Sequence, residues 1–283
     1  MKIYCKELNA HFEDKEELFK ALNSNIELIK AKKRLEQKSC DKGLSVLVNQ
    51  KTLIKYINNE VEKAFKIDDE HYYLVINSAN YLDSHLDVHL NGNWDKTVQE
   101  KQNKIFLVWH HELDNVENIL AFPKDVELMT ANVSWKSLGK DYSGSTYSLI
   151  FKILKSNIQN EKVKKWLDED VLLQASVRME YIKFLECYKT SNKEFEEQYK
   201  NYQKYIDIIV NKDEFTEEII YFWAIKEAKI IMEGSLLPFG SNSATGNISN
   251  KNTQEPSKDT LENEPSKDTQ KHEEQLKKLL TKF

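Results

Sequence analysis

The sequence predicts an α+β fold with a substantial sheet, and three observations lead there. Aromatic and β-branched runs recur from residue 72 onward, the side chains that suit a pleated, half-buried surface. Turn residues and short helical patches separate these runs, rather than the regular alternation of a βαβ protein. The longer helical patterns lie in the first 66 residues and between the last two strand candidates, with a small helical patch at the end.

Residues 1–66 read as a helical, highly charged N-terminal extension. Asp14, with Glu17 three positions later, marks a helix start ahead of Leu18, Phe19 and Leu22. After Asn49, Leu53, Ile54, Ile57, Val61, Ala64 and Phe65 fall on one helical face. The lysine-rich stretch from Lys30 to Lys42 between them reads as a solvated helix and loop. The whole extension is expected to be an appended regulatory or docking region.

From 67 to 240 the sequence reads as one domain. Strands are expected at Tyr72–Ile76, Ile105–Trp109, Val126–Val133, Tyr147–Leu154, Val171–Tyr181 and Ile230–Leu237. A helical insertion at about 188–225 carries Phe195, Tyr199, Tyr202, Ile206 and Ile209 as an apolar stripe that serves packing. A second helix is expected over Glu217–Ala228. Residues 241–283 are rich in Ser, Asn, Thr, Lys and Glu and read as a disordered linker. They hold a duplication, Glu255-Pro-Ser-Lys-Asp-Thr260 and Glu264-Pro-Ser-Lys-Asp-Thr269, then a short amphipathic end with Leu276, Leu279, Leu280 and Phe283. Such a tail suits tethering or partner docking.

Composition narrows the function. The 283 residues are 40% hydrophobic, enough for a sizeable core, and carry a net charge of −5. Arg34 and Arg178 are the only arginines, which argues against a dedicated nucleic-acid binder. Cys5, Cys40 and Cys187 have no spacing for zinc or a disulfide framework and fit a reducing cytoplasm. The charged start holds no signal core, and no run approaches the roughly 18–20 apolar residues that span a bilayer.

Three segments could carry chemistry. In Val171–Tyr181, alternate residues Val171, Leu173, Ala175, Val177, Met179 and Tyr181 share one face, which leaves Ser176 on the polar face beside Arg178. Such a serine is ordinary by itself. The apolar run Ile105–Trp109 ends abruptly in His110 and His111, at the kind of strand end where functional groups are held. Histidine titrates in the range a serine nucleophile needs from its base. A pair of partly exposed strand-end histidines is the plain alternative. Glu233 is an isolated charge in Ile230–Leu237 and needs a partner there, whether a structural cation or an imidazole. A rival constellation is a metal site: His85 and His89 are four apart with Asp83 and Asp87 nearby, although Asn91-Gly92-Asn93 makes the segment read as a loop.

Taken in order, these segments resemble the prohead (capsid-maturation) serine proteases of tailed bacteriophages, a family related in fold to herpesvirus assemblin. Asp83-Ser-His-Leu-Asp-Val88 with Gly92 and Trp94 is similar to the family's early stretch. Val108-Trp-His-His-Glu112 resembles its histidine motif, Gln174-Ala-Ser-Val-Arg178 its nucleophile strand, and Glu233 to Asn242 its closing motif. The likeness covers about residues 70–245. It implies a mostly antiparallel, partly closed β-barrel core surrounded by helices.

The resemblance assigns Ser176 as nucleophile, His111 as base and Glu233 as the third member, with His110 the substitute one position away. It implies a serine-type endopeptidase, without cofactor or metal, that cleaves scaffold and major capsid protein, and itself, inside the assembling prohead in the bacterial host cytoplasm. Self-association inside the prohead is implied as well. The tail then acts as a scaffold-like tether whose final helix docks on capsid protein and whose linker is open to self-cleavage. Arg178 stands where the family has glycine. It alters the backbone that stabilises the oxyanion, or itself supplies a fixed positive group near the developing charge. Two other readings stay open: an inactive scaffold or capsid-assembly protein with the same fold, and a metal-dependent hydrolase in which His85, His89 and His111 converge.

Overall fold

The computed structural model describes residues 2–35, 67–169, 171, 173–238 and 240–248. The helix expected over Leu53–Phe65, Cys40, the duplicated tail segments and the terminal amphipathic patch lie outside the described residues.

Two sheets carry the fold. The first is organised around β10 (Tyr221–Leu237), the longest strand. Along one edge β10 pairs antiparallel with β9 (Gln174–Tyr188). Along the other it pairs parallel with β4 (Asp87–His89) and, further on, with β5 (Phe106–Trp109). The short β6 (Ile119–Ala121) closes the β5 edge. The second sheet is antiparallel, in the order β11 (Gly246–Ile248), β3 (His71–Ser78), β8 (Ser145–Leu154) and β7 (Glu127–Ser134). Helices α3 (Asp95–Lys101), α4 (Glu161–Asp168) and α5 (Glu196–Tyr205) surround them.

The core follows from alternation. On β9, Ala175, Val177, Met179 and Tyr181 are buried and meet Leu74, Ile76, Leu149, Phe151 and Ile153 of the second sheet in one cluster. The two sheets approach closely at Gly234, where an added Cβ would stand 2.5 Å from the Phe151 ring. Only glycine fits that approach, and it lies between Glu233 and Ser235.

The structure is α+β, as expected, and the six strand candidates fall on β3, β5, β7, β8, β9 and β10. Three expectations are corrected. Residues 221–228 are strand, not helix. Tyr221 to Ile225 are all buried and pair with Tyr188 to Phe184, so the ladder overrides the helical spacing. The main sheet is mixed, because β4 and β5 run parallel to β10. Among the described residues the strands form separate sheets and no closed barrel.

The beginning of the chain also differs from a purely helical extension. It opens with a hairpin, β1 (Ile3–Cys5) and β2 (Ala10–Phe12), before α1 (Lys15–Ser24) and α2 (Ile26–Leu35). The expected helix start is present: the Asp14 carboxylate accepts from Glu17 N at 2.9 Å. Cys5, Leu18, Phe19, Leu22 and Ile29 join the same core as the two sheets, and Phe19 stacks on Tyr188.

Lys33 is not solvated. It is 5% exposed and pairs with the fully buried Asp87 at 2.8 Å. Glu7 lies 3.8 Å from the same ammonium and accepts from Trp223 Nε1 at 2.6 Å and Tyr221 OH at 2.9 Å. Burial pushes the Glu7 carboxyl upward, but the Lys33 charge and these hydrogen bonds hold it below the usual range.

Candidate active site

Three strands of the main sheet deliver the site. After β5, His110 and His111 both adopt left-handed backbone, with φ of 55° and 62°. Residues with a Cβ occupy that region at a cost, so the surroundings must hold them there. His110 N donates to Leu236 O at 3.1 Å, and His111 N donates to Ser235 Oγ at 2.9 Å. The double turn separates the two histidines. His110 is exposed beside the Trp109 ring, whereas His111 turns toward β10.

Glu233 is presented by an irregularity in β10. The pairing with β9 shifts register between Ile230 and Gly234, and Met232 within the shift has a φ of 74°. The Glu233 side chain is fully buried, and its Oε1 lies 2.8 Å from His111 Nδ1. A carboxylate at that distance requires the proton on Nδ1, which leaves Nε2 as the acceptor of a neutral ring. Nε2 is buried without a hydrogen-bond partner, as is Glu233 Oε2.

Ser176 and Arg178 come from the polar face of β9. Ser176 stands directly opposite Ser235 in the ladder, so both side chains leave the sheet on one side. It is 7% exposed and makes no side-chain hydrogen bond to a described residue. Arg178, two residues on, forms an ion pair with Glu233, its Nε 3.3 Å from Oε1 but without hydrogen-bond geometry, and donates from Nη2 to His111 O at 3.2 Å. The structure thus joins His111, Glu233 and Arg178 by direct contact and places Ser176 next to them through Ser235.

The histidines of the alternative metal set have separate surroundings. His85 Nδ1 lies 3.3 Å from Lys6 Nζ. His89 is fully buried, stacked on Trp94, with Nδ1 2.7 Å from Asn93 Nδ2. Asp83 accepts from the main-chain N–H groups of His85 and Asp87 and shapes the turn between them. No group of three or more metal-ligating side chains occurs among the described residues.

Sequence reasoning missed the part played by Ser235. The available signal was a buried hydroxyl two residues beyond Glu233 in an apolar strand, since such a group needs hydrogen-bond partners. Comparison of the chain with protein-family models, with curated proteins and with solved structures finds no match in any of the three.

Proposed function

We propose that this chain is a serine endopeptidase of the capsid-maturation type, with Ser176 as nucleophile, His111 as base and Glu233 as the group that orients the imidazole. The observation that carries this reading is the 2.8 Å contact of His111 Nδ1 with the buried Glu233 carboxylate, which leaves Nε2 buried and unpartnered on a residue whose own carbonyl accepts from Arg178 of the strand that bears Ser176. In this reading His111 Nε2 takes the Ser176 proton as Oγ attacks a peptide carbonyl, and Glu233 stabilises the imidazolium that forms. The proton then passes to the leaving amine, and water, activated by the same imidazole, releases the acyl-enzyme. The order of the sequence motifs supports a scaffold or major capsid protein as substrate, and the chain itself as a further one. This reading calls for no cofactor.

The test is co-expression with a candidate capsid protein, comparing wild type with Ser176→Ala by intact mass. Trimming by wild type alone supports the reading, and equal trimming by both removes Ser176 as nucleophile. One observation favours a second reading, an assembly protein without activity: Ser176 makes no hydrogen bond to His111. Assembled particles with no trimming by either protein would favour that reading.

A further inference from the structure

We propose that Arg178 is a positioning residue, a clamp that fixes the His111–Glu233 pair by holding both members at once. Its catalytic consequence rests on the serine-protease reading above; the clamp itself stands on contacts. Glu233 is fully buried, and one of its oxygens faces both His111 Nδ1 at 2.8 Å and Arg178 Nε at 3.3 Å. A neutral imidazole supplies that carboxylate with a single donor and no charge, whereas the guanidinium is permanently positive. Arg178 is thus the cation that makes a buried carboxylate tolerable at this position.

The second contact falls on the base. Arg178 Nη2 donates to the carbonyl of His111, and the N–H of His111 donates to Ser235 Oγ. The left-handed backbone of His111 is therefore held at both ends, its carbonyl by β9 and its N–H by β10, while the ring is held by Glu233. One planar group spans the carboxylate and the carbonyl. The Nε contact is an ion pair without hydrogen-bond geometry and the Nη2 contact is a hydrogen bond, and a lysine ammonium, a point charge on a different stem, does not span both. Both contacts of the guanidinium thus go to the acid–base pair, which distinguishes this role from the oxyanion role that the sequence suggested.

The test uses the full-length chain and two readouts. The first is the rate of covalent labelling of Ser176 by a fluorophosphonate. The Oγ–P bond forms as the P–F bond breaks, the serine proton passes to His111, and fluoride leaves. The second is the strongly deshielded imidazole N–H proton of His111 seen by NMR, which reports the contact with Glu233 whether or not the protein is active. Arg178→Ala is expected to label about 100-fold more slowly, the scale of a misplaced catalytic group. Guanidinium ion added to that variant should restore at least about tenfold of the loss and return the deshielded proton, without speeding wild type. Arg178→Lys should remain about tenfold or more below wild type. Combining Arg178→Ala with Glu233→Gln should be no slower than the slower single variant, because the two act as one unit.

Wild-type labelling and an unchanged resonance in Arg178→Ala would overturn the clamp, as would failure of guanidinium to rescue or multiplicative losses in the double variant. If wild type labels no faster than Ser176→Ala, the serine-protease reading falls. Loss and rescue of the resonance then decide the clamp by themselves.

Discussion

Ser235 faces Ser176 across the β9–β10 ladder, and it is the Ser235 oxygen that receives the main-chain N–H of His111. Two hydroxyls on one face of the sheet thus have different tasks. Ser235 is fully buried and spends its proton on main-chain carbonyls, with Val108 O and Leu236 O each at 3.3 Å. Ser176 has no such commitment.

Ser235→Ala should therefore destabilise the protein by about 1–3 kcal/mol, the cost of leaving a His111 N–H buried and unpaired. Ser176→Ala should change stability by less than about 0.5 kcal/mol, within the range of substitutions that break no contact. Chemical denaturation of the two variants, compared with wild type, checks the contrast.

Glu233→Gln keeps the shape of the side chain but supplies an amide in place of the charge that fixes the Nδ1–H tautomer. On the serine-protease reading proposed above, the change lowers turnover by about 10⁴-fold. The expected result is loss of fluorophosphonate labelling with the far-UV spectrum retained. A variant that labels at the wild-type rate would remove Glu233 from the chemistry.

Gly234→Ala places a methyl group against the Phe151 ring at a separation that real side chains do not tolerate. It should cost about 1–3 kcal/mol, the range for overpacked cores. Phe151→Leu in the same chain should recover part of the loss, so the double variant melts above the Gly234→Ala single variant.

Lys33 is the cation between Glu7 and Asp87. Lys33→Met leaves the buried Asp87 and the partly buried Glu7 without it and should destabilise by about 3–5 kcal/mol. The Glu7 carboxyl is held below its usual range in the folded protein. Its contribution to stability is therefore full above the unfolded value, near 4.5, and is lost as pH falls through the lower folded value. Glu7→Gln should flatten the stability profile on the acid side of pH 4.5 and leave its slope near neutrality unchanged, as urea melts at a series of pH values would show.

Much of this fold was legible. The period-two alternation of Val171–Tyr181 placed Ser176 and Arg178 on the polar face of β9, where the structure has them. The strand ending in two histidines and the lone Glu233 pointed to groups that the structure brings into contact. Residues 221–228 were misread because their apolar positions also match a helical face, and nothing local says that β9 waits alongside. Lys33 was misread for a similar reason. In sequence it is one lysine among many, and only the tertiary fold sets it beside Asp87, 54 positions away. The double left-handed turn at His110 and His111 carries no glycine to announce it.

Strand β10 also has a consequence for the order of events during synthesis. Its first half holds Glu7 through Tyr221 and Trp223, and its second half holds His111 through Glu233 and Ser235. His111 and Glu233 are 122 residues apart in the chain. A nascent chain that has not yet released β10 has neither the acid partner of His111 nor the edge on which β4, β5 and β9 align. The growing polypeptide therefore lacks the His111–Glu233 contact until residue 233 has left the ribosome.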